Sequence, residues 1–143
     1  DKAAPQADIF ISVAAVADWH VRAPSSQKIK KASLQGSQPM IALEENPDIL
    51  AETAKANKRL YCVGFAAETQ NVESYAREKL NRKGLSLVVG NNAGFALGAD
   101  VNSVVFVTKN ASVAFEGISK QEVACRLINA IACDLGLCKG ENP

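Results

Sequence analysis

Leu60-Tyr61-Cys62-Val63-Gly64-Phe65-Ala66, then Asn71 through Lys83-Gly84, then Leu85-Ser86-Leu87-Val88-Val89-Gly90 decide the fold. The two outer runs are short, apolar and without polar alternation. Each therefore reads as a strand covered on both faces, the habit of parallel sheets. The middle segment is long, polar on most of its surface and closed by a glycine, which reads as a helix capped at Asn71 and ended at Gly84. Strand, helix, strand in 31 residues predicts a parallel crossover unit, and so an α/β fold.

The same pattern extends outward. Asp8 to Val16 is a third apolar run and reads as a further buried strand. Residues 20–38 hold Pro24, Ser25, Ser26, the Lys28-Ile29-Lys30-Lys31 cluster and Gly36, a long polar loop. Met40 to Leu43 reads as a short strand, and Asn46-Pro47 opens a helix to about Ala56 with Asn46 at the cap. After a loop at 91–102, Ser103–Thr108 and Ser112–Phe115 read as a hairpin turning at Lys109-Asn110. Ser119-Lys120-Gln121-Glu122 is a capping box. It starts a last helix with Val123, Leu127, Ile128, Ile131 and Leu135 on one side and Gly136 at its end; the tail from Lys139 is expected to fray. The expectation is a Rossmann-like parallel sheet with helices on both faces and an antiparallel edge hairpin. Because a buried strand opens the chain and three core strands make a thin sheet, N-terminal strands of the fold are expected to be missing.

Composition narrows the function classes. The 143 residues are 48% hydrophobic and 22% charged, which suits a packed domain rather than a disordered one. A formal net charge of +1 offers no basic field for nucleic acid or an anionic membrane, and no apolar run is long enough to span a bilayer. Cys62, Cys125, Cys133 and Cys138 form no CxxC pair and His20 is the single histidine, so a zinc site is not expected. The cysteines read as small buried hydrophobes of a reducing compartment.

In open α/β sheets, ligands bind beyond the carboxyl ends of the strands. Three strand ends offer residues there: Ala17-Asp18-Trp19, Gly64 to Thr69, and Gly90-Asn91-Asn92. Asp18 could hold magnesium or a ribose or base group, or could cap local backbone; both readings stand. Gly64 would let a ligand approach, and Phe65 could stack on a base or belong to the core. The helix carries an anomaly: at about 100° per residue, Lys79 and Lys83 fall within about 20° of Val72, inside the apolar stripe. An ammonium there needs either a snorkelling path to water or an anionic partner. The basic loop at Lys28 suits a phosphorylated ligand or is a solvated charge run. Asn91-Asn92-Ala93-Gly94 and Tyr75 to Lys79 match two short-chain dehydrogenase motifs as strings, but in reversed order and without the glycine-rich turn.

Six segments in order resemble the phosphopantothenoylcysteine synthetase family: Ala14 to Trp19, Lys28 to Lys31, Asn46-Pro47-Asp48-Ile49-Leu50, Gly64 to Thr69, Tyr75-Ala76 with Lys79 and Lys83, and the strand ending at Asn91. The resemblance implies a ligase of coenzyme A biosynthesis that joins 4′-phosphopantothenate to L-cysteine through an acyl-cytidylate, using CTP and Mg2+. It implies CTP contacts at Ala14, Ala15, Asp18, Asn46, Pro47, Asp48, Ile49, Phe65, Lys79 and Lys83, with Asp18 also the candidate metal ligand. Lys28 becomes the catalytic lysine of a flexible flap, about 20–38, that closes over the neighbouring subunit's site in a homodimer. Residues 1–143 would be the C-terminal part of a single synthetase domain in a cytoplasmic protein. FMN enters only if a decarboxylase domain is fused. The family's glycine-rich opening turn and its SNxSSGKMG-like segment have no counterpart here. The rival reading is a non-catalytic nucleotide-binding and dimerisation fragment.

Overall fold

β1 (Ile9–Ile11), β4 (Tyr61–Glu68) and β5 (Leu87–Asn92) run parallel, and β6 (Val101–Thr108) and β7 (Ser112–Ser119) continue the same sheet antiparallel in the order β1-β4-β5-β6-β7. A small two-stranded sheet, β2 (Trp19–Val21) with β3 (Leu43–Glu45), stands apart from it. The helices are α1 (Ile49–Ala56), α2 (Val72–Lys83) and α3 (Lys120–Asp134). This computed structural model describes residues 4–30, 38–92 and 101–138. Lys31 and Gly36 of the expected flap, most of the loop at 91–102 and the tail from residue 139 lie outside them.

Helices cover both faces, as expected. Leu50 and Ala54 of α1 and Ala76 and Leu80 of α2 pack on Cys62, Ala66, Val88, Val105 and Val107. Leu127 and Ile131 of α3 pack on Tyr61, Val63, Leu87, Val89, Val104 and Phe106. Consecutive side chains of β4 and β5 thus meet different helices, which is why those runs carry no alternation. Right-handed crossovers that step in one direction across the sheet place α1 and α2 on the same face.

Glycine permits the tightest of these contacts. A Cβ at Gly90 would stand 2.8 Å from Val72 Cγ1, 3.0 Å from Val105 Cγ1 and 3.3 Å from the Ala76 Cβ. Valine has little rotamer freedom to yield, so Gly90→Ala is expected to cost about 1–3 kcal/mol by overpacking. Urea denaturation checks this; an unchanged midpoint would show that α2 can move off the sheet freely. Gly64 behaves likewise. Its Cβ would meet Leu85 at 2.9 Å and Leu50 at 3.0 Å, so it serves helix–sheet packing rather than the approach of a ligand.

Several expected elements differ. The strand expected over Asp8–Val16 has three residues, because the chain leaves the sheet at Ser12 and the apolar residues Val13 and Val16 emerge into solvent. Among the described residues β1 pairs with β4 alone, and it is only half-buried. The loop expected from residue 20 begins instead with β2, whose partner β3 lies slightly later than the strand expected at Met40–Leu43. Asp48, not Asn46, caps α1, its carboxylate accepting from the Ala51 N–H at 3.1 Å. Asn71 precedes α2 in a left-handed conformation (φ 48°) and makes no side-chain cap, whereas Gly84 closes the helix as expected (φ 65°). The hairpin turn and the Ser119 cap form as expected, with Ser119 Oγ accepting from Glu122 N–H at 3.1 Å. On α3, Ile128 and Leu135 are exposed, since the helix meets the sheet through Val123, Leu127, Ala130 and Ile131. Of the cysteines, only Cys62 is buried. Cys125 is exposed, and Cys133 and Cys138 form a disulfide across the turn that ends α3.

Candidate functional site

The carboxyl ends of β1 and β4 diverge, and a lysine fills the gap. Ser12 N–H donates to Val63 O at 3.0 Å, the last rung between the two strands. Two residues on, the Phe65 carbonyl faces the same side, but β1 has already ended. Leaving a half-buried carbonyl without a partner carries a cost, and the Lys79 ammonium, reaching over the sheet from α2, donates to it. Lys79 is thus fixed at the tip of the first two parallel strands, where ligands of such sheets bind.

The second lysine stands beside it. Lys83 Nζ lies 2.7 Å from Asp48 Oδ2, its side chain only 16% exposed. The two lysines therefore have internal partners, a carbonyl and a carboxylate, which neither snorkelling nor a ligand was needed to supply. Burial of the Lys79 ammonium, reinforced by the neighbouring Lys83 charge, lowers its pKa; the carboxylates of Glu68 and Asp48 pull the other way. Burial pushes Asp48 up, but the hydrogen bonds from Lys83 and the Ala51 N–H and the charges of Lys83 and Lys79 outweigh it, so its carboxyl titrates below its ordinary 3.8. A carboxyl depressed in the folded state stabilises the fold above its unfolded pKa, and that contribution disappears as pH falls through the folded value. Acidification through the carboxylate range should therefore destabilise the wild type more than Asp48→Ala. Denaturant midpoints compared at pH 5 and pH 3 check this: the gap between the two proteins narrows at pH 3, and a constant gap would contradict the coupling.

Asn46 links the next segment. Its Nδ2 donates to the Ala17 carbonyl at 2.8 Å and its backbone N–H to the Asp18 carbonyl at 2.8 Å. Asp18, Asn46, Asp48, Lys83, Lys79 and the Phe65 carbonyl thus form one connected series around the sheet end. Pro47 lies inside this series, and Ile49 opens α1 with its side chain 45% exposed. Ala14 and Ala15 are exposed in the segment between β1 and β2. Lys28 is exposed beyond a turn in which Ser25 Oγ bonds to Gln27. The Phe65 ring is the exception: it packs partly buried on the α3 face, so what β4 presents toward Lys79 at this position is backbone. Glu68, whose charge acts on Lys79, lies in the strand end Gly64 to Thr69 that the sequence offered as ligand-facing, but it was given no role of its own there.

Among the described residues, no three His, Cys, Asp or Glu side chains converge as a metal cage. A cavity of about 660 Å3 runs elsewhere, along the outer flank of α1 beside the residues that precede β1, lined by Gln6, Asp8, Glu52, Asn57 and Arg59. It holds neither lysine, and mixed charges give it no bias toward a polyanion.

Comparison with known proteins bears on this arrangement. The family described as "DNA/pantothenate metabolism flavoprotein C-terminal domain" matches residues 1–135. The "Coenzyme A biosynthesis bifunctional protein CoaBC" of Haemophilus influenzae is 42% identical over 126 residues, covering 86% of this chain and 31% of that protein. The chain therefore spans about a third of that relative's length. A crystal structure of the C-terminal domain of CoaBC superposes with a TM-score of 0.73 at 28% identity, over 94% of this chain and 58% of the other. A Cab2 mutant in complex with phosphopantothenate-cysteine shares the fold, with a TM-score of 0.61 at 21% identity over 88% of this chain and 46% of the other.

Proposed function

The chain belongs to the DNA/pantothenate metabolism flavoprotein C-terminal domain family, and from that premise we propose that it is the nucleotide-binding, C-terminal part of a synthetase domain in coenzyme A biosynthesis. The reaction is the joining of 4′-phosphopantothenate to L-cysteine with CTP. The observation that carries the reading is the placement of Lys79 in the gap between β1 and β4 with Lys83 beside it. Two ammonium groups at the carboxyl end of a parallel sheet suit a triphosphate.

In this account the phosphopantothenate carboxylate attacks the α-phosphorus of CTP, forming the acyl-cytidylate as pyrophosphate leaves. The cysteine amine then attacks the acyl carbon, CMP departs with the bonding pair, and the amine gives up a proton. Lys79 and Lys83 hold the phosphates. Asp48 keeps Lys83 extended across the site, and Asn46 holds the Ala14–Asp18 segment against it through the Ala17 and Asp18 backbone. Ala14, Ala15, Pro47, Ile49 and Phe65 shape the nucleotide pocket, Phe65 through its carbonyl. Lys28, carried by the flap over about 20–38, neutralises charge that develops on the phosphates. The donor set would suit magnesium in one way: Asp18 would supply a single carboxylate, with nucleotide phosphates and waters as the other oxygens, the usual pattern for this ion. When bound, magnesium shields phosphate charge.

FMN would enter only where a decarboxylase domain is fused, and it takes part in no step here. A cytoplasmic homodimer fits the same reading, and no helix among the described residues is long and apolar enough to cross a membrane. Calorimetric titration with CTP, ATP, GTP and UTP tests the proposal. CTP-selective binding is the expected result; no binding of any nucleotide would refute it.

A further inference from the structure

A carboxylate and an aromatic ring meet at the sheet end just beyond Lys79. Glu68 closes β4, two residues past Ala66, and side chains alternate along a strand. Ala66 packs with α1 and α2 whereas the Phe65 ring packs on the α3 side. Glu68 therefore rises on the face of α1 and α2, where it is half-buried. Its charge acts on Lys79, yet among the described residues no cation stands within ion-pair distance of its carboxylate.

Tyr75 reaches the same place from the helix. A Cβ on Gly90 would stand 2.8 Å from Val72 Cγ1 and 3.3 Å from the Ala76 Cβ, and Gly90 pairs with Ala66 across β5 and β4. The first turn of α2 is thus level with Ala66. Residues four apart share a helix face, so Tyr75 lies on the side of Lys79. Arg77, which donates to Thr108 O at 3.1 Å, marks the opposite side, toward β6. Helical side chains lean toward the helix N-terminus, and α2 returns antiparallel between two parallel strands. That lean carries the ring outward, from the level of Ala66 toward that of Glu68. Tyr75 is 45% exposed, which leaves the ring open to a ligand.

A carboxylate beside bound phosphates is repelled by them unless a cation comes between. A single carboxylate against an aromatic ring suits an organic ammonium, which takes charge-assisted hydrogen bonds from the one and the ring quadrupole of the other. Magnesium, the other cation of such sites, takes oxygen ligands and gains nothing from the ring. On the functional reading above, an ammonium must arrive here. The acyl carbon attacked in the second step adjoins the α-phosphate of a nucleotide held at Lys79, and the attacking cysteine brings its amino group protonated.

We infer that Glu68 and Tyr75 form the subsite for the amino group of the cysteine substrate. Glu68 accepts hydrogen bonds from the ammonium while Tyr75 lays its ring over it. As reaction begins, one proton passes from the nitrogen to the Glu68 carboxylate. The freed pair forms the bond to the acyl carbon. The bond from that carbon to the phosphate oxygen breaks, its pair leaving with CMP, and the nitrogen gives its second proton to water.

The test is made on the full-length chain, following pyrophosphate and CMP separately. Pyrophosphate release without cysteine reports formation of the acyl-cytidylate; CMP release on adding cysteine reports the second step. Glu68→Gln is expected to raise KM for cysteine about 10- to 100-fold, with a far smaller change in KM for CTP. Tyr75→Leu is expected to raise KM for cysteine about 2- to 30-fold, and Tyr75→Phe, which restores the ring, to recover it. Hydroxylamine, an uncharged nucleophile, should release CMP from Glu68→Gln and Tyr75→Leu far less impaired than cysteine does. An unchanged KM for cysteine in both variants overturns the inference. Losses shared equally by CTP, cysteine and hydroxylamine, or reversed by added magnesium, give the pair a structural or metal-holding role and overturn it as well. A wild type that releases no pyrophosphate removes the functional reading itself, and the subsite with it.

Discussion

Lys79→Met is expected to weaken CTP binding about 10- to 100-fold, the effect of removing one charged hydrogen bond worth about 1.5–3 kcal/mol. Lys79 occupies the gap that β1 leaves beside β4, and one of its three donors is committed to the Phe65 carbonyl. The remaining two are free to meet phosphate oxygens entering from the sheet end. Methionine keeps most of the stem, so the packing of α2 is retained while the charge is lost. The variant should remain folded, with the Phe65 carbonyl relieved by water at the edge of the sheet. Burial and the Lys83 charge lower the Lys79 pKa, so affinity for CTP should also begin to decline with rising pH before the usual lysine range is reached. Lys79→Met should abolish that decline. Calorimetry across a pH series measures both effects; unchanged affinity in the variant would remove the lysine from the site.

Leu87→Ala is expected to be the most damaging single truncation in the core, at about 2–5 kcal/mol. Leu87 is fully buried at the start of β5, inside the cluster formed with Tyr61, Val63, Phe106, Leu127 and Ile131. It faces α3, so the cavity would open where the last helix docks on the sheet. Tyr61 and Asp134 close that region, the phenol donating to the Asp134 carboxylate. Burial and the neighbouring carboxylate raise the phenol pKa far enough that it stays protonated. A neighbourhood fixed in this way relaxes little around a void. Guanidinium denaturation compared with wild type gives the number, and a loss below about 1 kcal/mol would mean that the site collapses.

What could be read in the sequence divides along physical lines. β4, α2 and β5 were legible because their signals are local: apolar runs covered on two faces, and a glycine that ends the helix. The hairpin and the Ser119 cap were legible for the same reason. β1 was overextended, since the apolar residues from Ser12 to Val16 match a strand in composition although the chain has left the sheet. Asn46 was misread as a cap because its actual partner, Ala17, is 29 residues away. The lysines at 79 and 83 announced themselves by interrupting an apolar stripe, but their partners, a strand carbonyl and the Asp48 carboxylate, depend on how α1, α2 and β4 meet. Which face the Phe65 ring takes was likewise settled by strand register. The Cys133–Cys138 link depends on the turn at Gly136, which brings two residues of unremarkable spacing together.

The central claim is that a triphosphate binds where β1 and β4 part. The most direct measurement is a crystal structure of the chain grown with CTP and magnesium. The phosphates are expected within hydrogen-bonding distance of Lys79 and Lys83, with the nucleoside toward Ala14 to Asp18. Phosphates seated instead in the groove along the outer flank of α1, with both lysines still bound only to the Phe65 carbonyl and Asp48, would contradict it.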